Sequence, residues 1–122
     1  MPRLKDKGIT LLGTSAAIDM KTAASTTIFT TDANRTTRIT HVVVRDASAT
    51  LAGGTSYSIT NFRQAFSLTT MTAGAAIYRV IQATDNTDYT ETAGNVAIQL
   101  TVTTGSTGAA TAIIDVFGYT TT

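Results

Sequence analysis

The stretch "TRITHVVVRDAS", residues 37 to 48, decides how this chain folds. Ile39 and the three consecutive valines are β-branched, which suits a pleated strand and costs side-chain freedom in a helix. Period-two alternation puts Ile39, His41, Val43 and Arg45 on one face and Val42 and Val44 on the other. Apolar groups therefore appear on both faces. Such a strand belongs at the centre of a β-sandwich, covered by a second layer or presented to a neighbour.

The same signature returns near the end of the chain. In "ATAIIDVFGYTTT" Ile114 and Val116 share one face, while Ile113, Asp115, Phe117 and Tyr119 share the other. One face is expected to join the core, which leaves Ile113, Phe117 and Tyr119 as candidates for a contact between subunits.

Composition agrees with an all-β chain. Threonine makes up roughly a quarter of the 122 residues, where a few per cent is usual, and charged residues only 14%, where about a quarter is usual. The length fits one domain with one core. A net charge of +1 without a basic stripe argues against a nucleic-acid partner. No apolar run approaches the roughly 20 residues of a membrane span. With no cysteine, disulfides and thiolate metal sites are excluded. A nearly neutral, hydroxyl-rich surface has little self-repulsion and suits a protein packed into an assembly.

Turn signals at "DANR", "AGG", "TAGAA", "DNTD", "AGN" and "GSTG" recur every ten to twenty residues, the spacing of short strands joined by turns. Strands are predicted near residues 8–14, 17–22, 25–31, 37–47, 55–60, 65–70, 77–83, 96–104 and 110–119. The fold class is a single antiparallel β-sandwich or jelly-roll-like domain of about eight strands. The clearest alternation is at 96–104, where Val96, Ile98, Leu100 and Val102 are interleaved with Ala97, Gln99, Thr101 and Thr103. "TGSTGA" is predicted to turn this strand back on the last one as a hairpin, and "AGGTS" is read as a hairpin turn.

Candidate chemistry is sparse. His41 is the single histidine, and a general base there would need Ser48 or Ser56 as nucleophile and Asp46 as orienter, with no nucleophile motif to place them. Asp85, Asn86, Asp88 and Glu91 supply hard oxygen ligands, but the glycine and glutamate spacing of an EF-hand is missing. Tyr57, Tyr78 and Tyr89 would stack on sugars if exposed, and otherwise serve as core or interface anchors. No catalytic residue, metal site or cofactor is assigned.

"ITHVVVRDASATLAGGTSYSI", "SLTTMTAGAAIYRVI" and "VTTGSTGAATAIIDVFGY" resemble small structural proteins of tailed bacteriophages. The shared texture is a valine-rich strand, a Gly-Gly turn, a tyrosine strand and a hairpin closing on "IDVFGY". The resemblance implies a non-enzymatic virion component on the capsid exterior. A decoration or cement protein that bridges capsomers comes first, and a receptor- or carbohydrate-binding knob, fibre or tail-surface subunit second. Implied partners are the major capsid protein and further copies of the chain, as a homotrimer. Residues 1–24 fall outside the resemblance and are expected to form an N-terminal arm with the first strands, ahead of a sandwich at 25–122. Arg3, Lys5 and Lys7 would meet anionic patches on the shell or an adjoining subunit, with Leu4 and Ile9 in apolar slots.

Overall fold

The computed structural model describes residues 9–73, 79–82 and 94–121, which form nine β-strands. They are β1 (Thr10–Thr14), β2 (Ile18–Asp19), β3 (Ala24–Thr30), β4 (Thr36–Arg45), β5 (Ser56–Ile59), β6 (Phe62–Phe66), β7 (Arg79–Gln82), β8 (Ala97–Thr104) and β9 (Thr111–Thr121). One antiparallel sheet runs β1-β9-β4-β7, with β2 also on β9, and the other runs β3-β8-β5-β6. The two pack face to face as a β-sandwich. Pairings nest along the chain: β1 and β2 with β9, β3 with β8, β4 with β7, β5 with β6. Because β1 and β2 pair with β9 and Ile18 and Met20 are buried, the sandwich takes in residues from Thr10 onward.

The alternating strands behave as their patterns dictate. Ile98, Leu100 and Val102 of β8 are buried between the sheets, against Ala112, Ile114 and Val116 of β9 and Ile39, Val42 and Val44 of β4 in the other sheet. Val96 packs at the margin of that core. Tyr57, Phe62, Leu51 and Leu68 close it from the second sheet and its loops.

In β4 the face assignment changes. Ile39 pairs with Gly118 and His41 with Phe117, so Thr40 is an extra residue, a β-bulge. The insertion shifts the side-chain period by one, so that Ile39, Val42 and Val44 all enter the core while His41, Val43 and Arg45 face outward. Ile39 therefore does not share a face with His41. The two-sided apolar pattern of 37–48 is in part a one-sided strand with an interrupted period.

Neither glycine-rich turn is a hairpin. β8 pairs with β3 and β5, whereas β9 pairs with β1, β2 and β4, so residues 105–110 carry the chain from one sheet to the other. This bridge is tied to the two neighbouring connections between the sheets, with Ser106 N–H on the Met20 carbonyl at 3.0 Å and Thr107 N–H on that of Ala52 at 2.9 Å. Residues 51–54 likewise form a tight turn within the β4–β5 crossover, where Gly53 takes φ of +88° and Gly54 N–H meets the Leu51 carbonyl at 2.9 Å. The true hairpin is β5–β6, where Ile59 pairs with Phe62 and Asn61 adopts φ of +58°. That turn starts β6 at Phe62, ahead of the 65–70 expected from composition.

Two serines extend the β9 ladder past the ends of its neighbours. Ser15 Oγ accepts the Ile114 amide at 2.9 Å where β1 gives way to β2, and Ser48 Oγ accepts that of Thr111 at 2.8 Å beyond β4. Both hydroxyls satisfy donors that no strand reaches.

At Gly118, opposite Ile39 and next to the bulge, β4 lies so near β9 that an added Cβ would overlap the carbonyl oxygen of Arg38. Gly118→Ala is expected to destabilise the fold by about 1–3 kcal/mol. Gly108, with nothing within 4 Å of an added Cβ, should tolerate the same change with an effect within roughly 0.5 kcal/mol. Denaturant midpoints of the two variants test this.

Candidate functional site

Residues opposite one another in an antiparallel pair share a face, so the registers of β1, β9 and β4 define the outward surface of the larger sheet. Leu11 pairs with Phe117, and Phe117 with His41. Thr14 pairs with Asp115, and Asp115 with Val43. Ile113 faces Arg45 and Tyr119 faces Arg38. Ile113, Phe117 and Tyr119 thus share one half-buried surface, as their spacing implied, with Val43 and Leu11 beside them. Ile113 to Tyr119 spans about 20 Å at the ordinary strand rise.

Leu11 is 52% exposed and Ile9, two residues before it, 45%. Leu12, displaced by a second bulge between Leu11 and Gly13, turns back to pack on the core. The Leu-Leu pair is thereby split between the two faces. Of the proposed arm, Ile9 lies at this rim, and Arg3, Leu4, Lys5 and Lys7 fall outside the described residues.

A charged pair is set into the apolar surface. Arg45 Nε donates to Asp115 Oδ2 at 2.8 Å, and Arg45 Nη1 also meets Asp46 Oδ2. Hydrogen bonding to Asp115, with its charge and that of Asp46, raises the guanidinium pKa above its already high value. Asp46 reaches back because it adopts φ of +54°, a left-handed conformation that aspartate tolerates better than most residues. Asp115 is 8% exposed, and its other oxygen, Oδ1, is buried with no hydrogen-bond partner. The sequence signal for this pair was a carboxylate inside a strand apolar on both faces, but joining it to Arg45 needs the β4–β9 register.

The hydrolase arrangement does not form. His41 Nδ1 lies 2.8 Å from Thr40 Oγ1, Asp46 is engaged by Arg45, and Ser48 Oγ accepts the Thr111 amide. His41 pairs with Phe117 while Ser48 bonds to Thr111, which separates them by about 20 Å along β9. Ser56 pairs with Thr104 in the other sheet.

Tyr57 is not a surface stacking platform. It is fully buried, stacked on Phe66 with ring centroids 5.9 Å apart, and its hydroxyl donates to the Met20 carbonyl at 3.0 Å. Tyr78, Tyr89 and the acidic stretch Asp85, Asn86, Asp88 and Glu91 lie outside the described residues. Among the described residues no three His, Cys, Asp or Glu side chains gather as a metal site, and no helix is long and apolar enough to cross a membrane.

Compared with protein-family models, with curated proteins and with solved structures, the chain matches none.

Burial pushes the Tyr57 hydroxyl above the ordinary tyrosine pKa. The unfolded chain ionises near pH 10, while the folded chain holds the proton to higher pH. Stability from this group is therefore whole below pH 10 and is lost as pH rises through the folded value. Tyr57→Phe is expected to cost about 0.5–1.5 kcal/mol at neutral pH, because the Met20 carbonyl keeps the Ser106 amide, and to flatten the alkaline fall in stability. Urea titrations at pH 7 and above pH 10 measure both effects.

Proposed function

We propose that this chain is a non-enzymatic virion structural protein, a capsid-decorating subunit that binds the outside of a phage head and clamps neighbouring capsomers. The observation that carries the reading is the uncovered apolar surface built on β1, β9 and β4. Leu11 and Ile9 stand about half exposed beside half-buried Phe117, Val43, Ile113 and Tyr119. A sheet face that carries exposed and half-buried apolar groups is what a protein partner covers.

The strand order supports the same reading. Nested pairing of the first strands with the last, closing on a central hairpin, supports a jelly-roll reading of the sandwich, an architecture that recurs in viral capsid and lectin domains. The resemblance of residues 37–119 to phage structural proteins points the same way. In this account Ile113, Phe117 and Tyr119 meet further copies of the chain in a homotrimer. Arg3, Leu4, Lys5, Lys7 and Ile9 reach the major capsid protein.

Covering a Leu-sized side chain contributes about 1.5–3 kcal/mol when it starts fully exposed, so Leu11 and Ile9 each offer roughly 1 kcal/mol per copy. Phe117 is already half covered and adds shape more than area. Small per-copy terms suffice because every subunit on a particle contributes its own set. The Arg45–Asp115 pair supplies orientation, since a partner must leave this ion pair intact or meet it with matching charge.

Sedimentation equilibrium is expected to show a threefold association of the intact chain that Phe117→Asp abolishes, with unchanged circular dichroism. Shells of the phage that encodes the chain should co-pellet with the intact protein. A variant lacking residues 1–8 should stay folded and remain in the supernatant. An intact chain that is monomeric at high concentration and ignores the shells would sink the proposal.

A further inference from the structure

The smaller sheet ends in β3, and the first half of that strand is unusually open. Ala24, Ser25, Thr26 and Thr27 are all exposed, although Ala24 and Thr26 stand opposite buried Val102 and Leu100 and so face the core side. Among the described residues no strand pairs with the outer edge of β3, and its first half is exposed on both faces. Val96 accepts the Thr31 amide and Gln99 accepts that of Thr60. Between Val96 and Val102 bonding along β8 therefore alternates, with even-numbered residues turned to β3 and odd-numbered ones to β5, before a register shift turns Thr104 to Thr55. It follows that Thr26 and Ala24 bond to β8, while the amides and carbonyls of Ser25 and Thr27 point away from the sheet.

Natural proteins blunt such edges with lysine, proline or an early bulge. None of these occurs in Ala24–Thr27. No charge or proline lies between Ala24 and Thr30, and the bulge comes only at Ile28.

We propose that β3 pairs antiparallel with β3 of a second copy about a twofold axis at Thr26, making one continuous eight-stranded sheet from two four-stranded ones. In this register Ser25 of each copy faces Thr27 of the other, and the two pairs exchange four backbone hydrogen bonds. Thr26 meets Thr26 as the closer, non-hydrogen-bonded pair between them. The edge is its own complement, which is what an isologous contact requires. Charge selects a second copy over a generic strand. Exposed Lys21 and exposed Asp32 lie just beyond opposite ends of β3, so antiparallel pairing brings the cationic end of each copy toward the anionic end of the other. Asp32 has Arg35 Nε at 4.0 Å and the Asn34 amide at 3.0 Å, and its carboxylate remains 55% exposed for a further cation. The contact lies on the opposite sheet from Phe117 and stands whether or not copies also meet there.

The cysteine-free chain allows a direct test. Under mild oxidation, Thr26→Cys is expected to form covalent dimers at least about tenfold faster than Thr70→Cys, an equally exposed loop position. Adding Phe117→Asp should leave that rate unchanged, which separates this contact from the outer-face one. In a Phe117→Asp background, Thr26→Lys and Thr26→Glu should each stay unpaired at concentrations where Phe117→Asp alone pairs, and a mixture of the two should pair. Equal cross-linking at Thr26 and Thr70 would overturn the proposal. Failure of the mixed charges to associate would overturn the twofold at Thr26.

Discussion

Ile39 and Val42 both reach the core although they stand three residues apart on one strand. The sandwich depends on the insertion that allows it. Thr40 occupies a bulge opposite the Phe117–Gly118 step, with its hydroxyl 2.8 Å from His41 Nδ1 and 3.4 Å from the Phe117 carbonyl. Without the extra residue, an unbroken period would bury either Ile39 with His41, Val43 and Arg45, or Val42 and Val44 without Ile39. The first choice places a guanidinium in an apolar core. The second leaves a hole where Ile39 now fills space against the facing sheet. Gly118 makes the insertion possible, since the locally crowded β4 backbone passes where any larger residue would place its Cβ. Bulges between Leu11 and Gly13 and between Thr27 and Phe29 make similar corrections in strands nearer the edges.

The outer surface follows from the same shift. Once Ile39 has moved inward, β4 presents Arg38, His41, Val43 and Arg45, a mixed row that β9 completes with Ile113, Asp115, Phe117 and Tyr119. Asp115 sits where a fully apolar strand would carry another aliphatic residue. Its pairing with Arg45 marks this face as different from the core, and a charge pair there discourages the sandwich from burying the wrong side. The face combines exposed and half-buried apolar groups with an ion pair that keeps it out of the core.

Most of the element map was legible from residues alone, because Thr-rich and β-branched runs separated by Gly, Asn and Asp leave little room for helices. Val96 to Val102 and Ile113 to Tyr119 took the faces that alternation assigned them. Two kinds of information were missing. A bulge is a backbone event that no residue type announces: Thr40 resembles every other threonine, and only the demand that Ile39, Val42 and Val44 be buried together reveals it. Partner choice was equally hidden. The segments flanking "GSTG" resemble a hairpin, yet both are central strands with buried faces, and each is served better by a neighbour in its own sheet than by the other across a tight turn. The candidate surface was half readable for this reason. Ile113, Phe117 and Tyr119 follow from periodicity within one strand, while Leu11, Val43 and the Arg45–Asp115 pair enter through registers between distant strands.

A nested strand order also fixes where the sandwich is open. Winding the chain so that its two ends lie together in one sheet buries β9 between β1 and β4 and β8 between β3 and β5, which gives the least interrupted strands two neighbours each. The cost falls on the short or irregular strands, which become edges. β1 blunts its exposure with a bulge and a glycine, whereas β3 begins with four exposed residues that have no such device. In a monomer of low charge this would be a liability, because little repulsion keeps one edge from another. In a protein whose larger sheet also carries an uncovered apolar face, both exposures have a common physical sense. A hydroxyl-rich, almost uncharged surface lowers the desolvation cost of bringing copies together, and in the proposed pairing the β3 edge would set the direction in which they align.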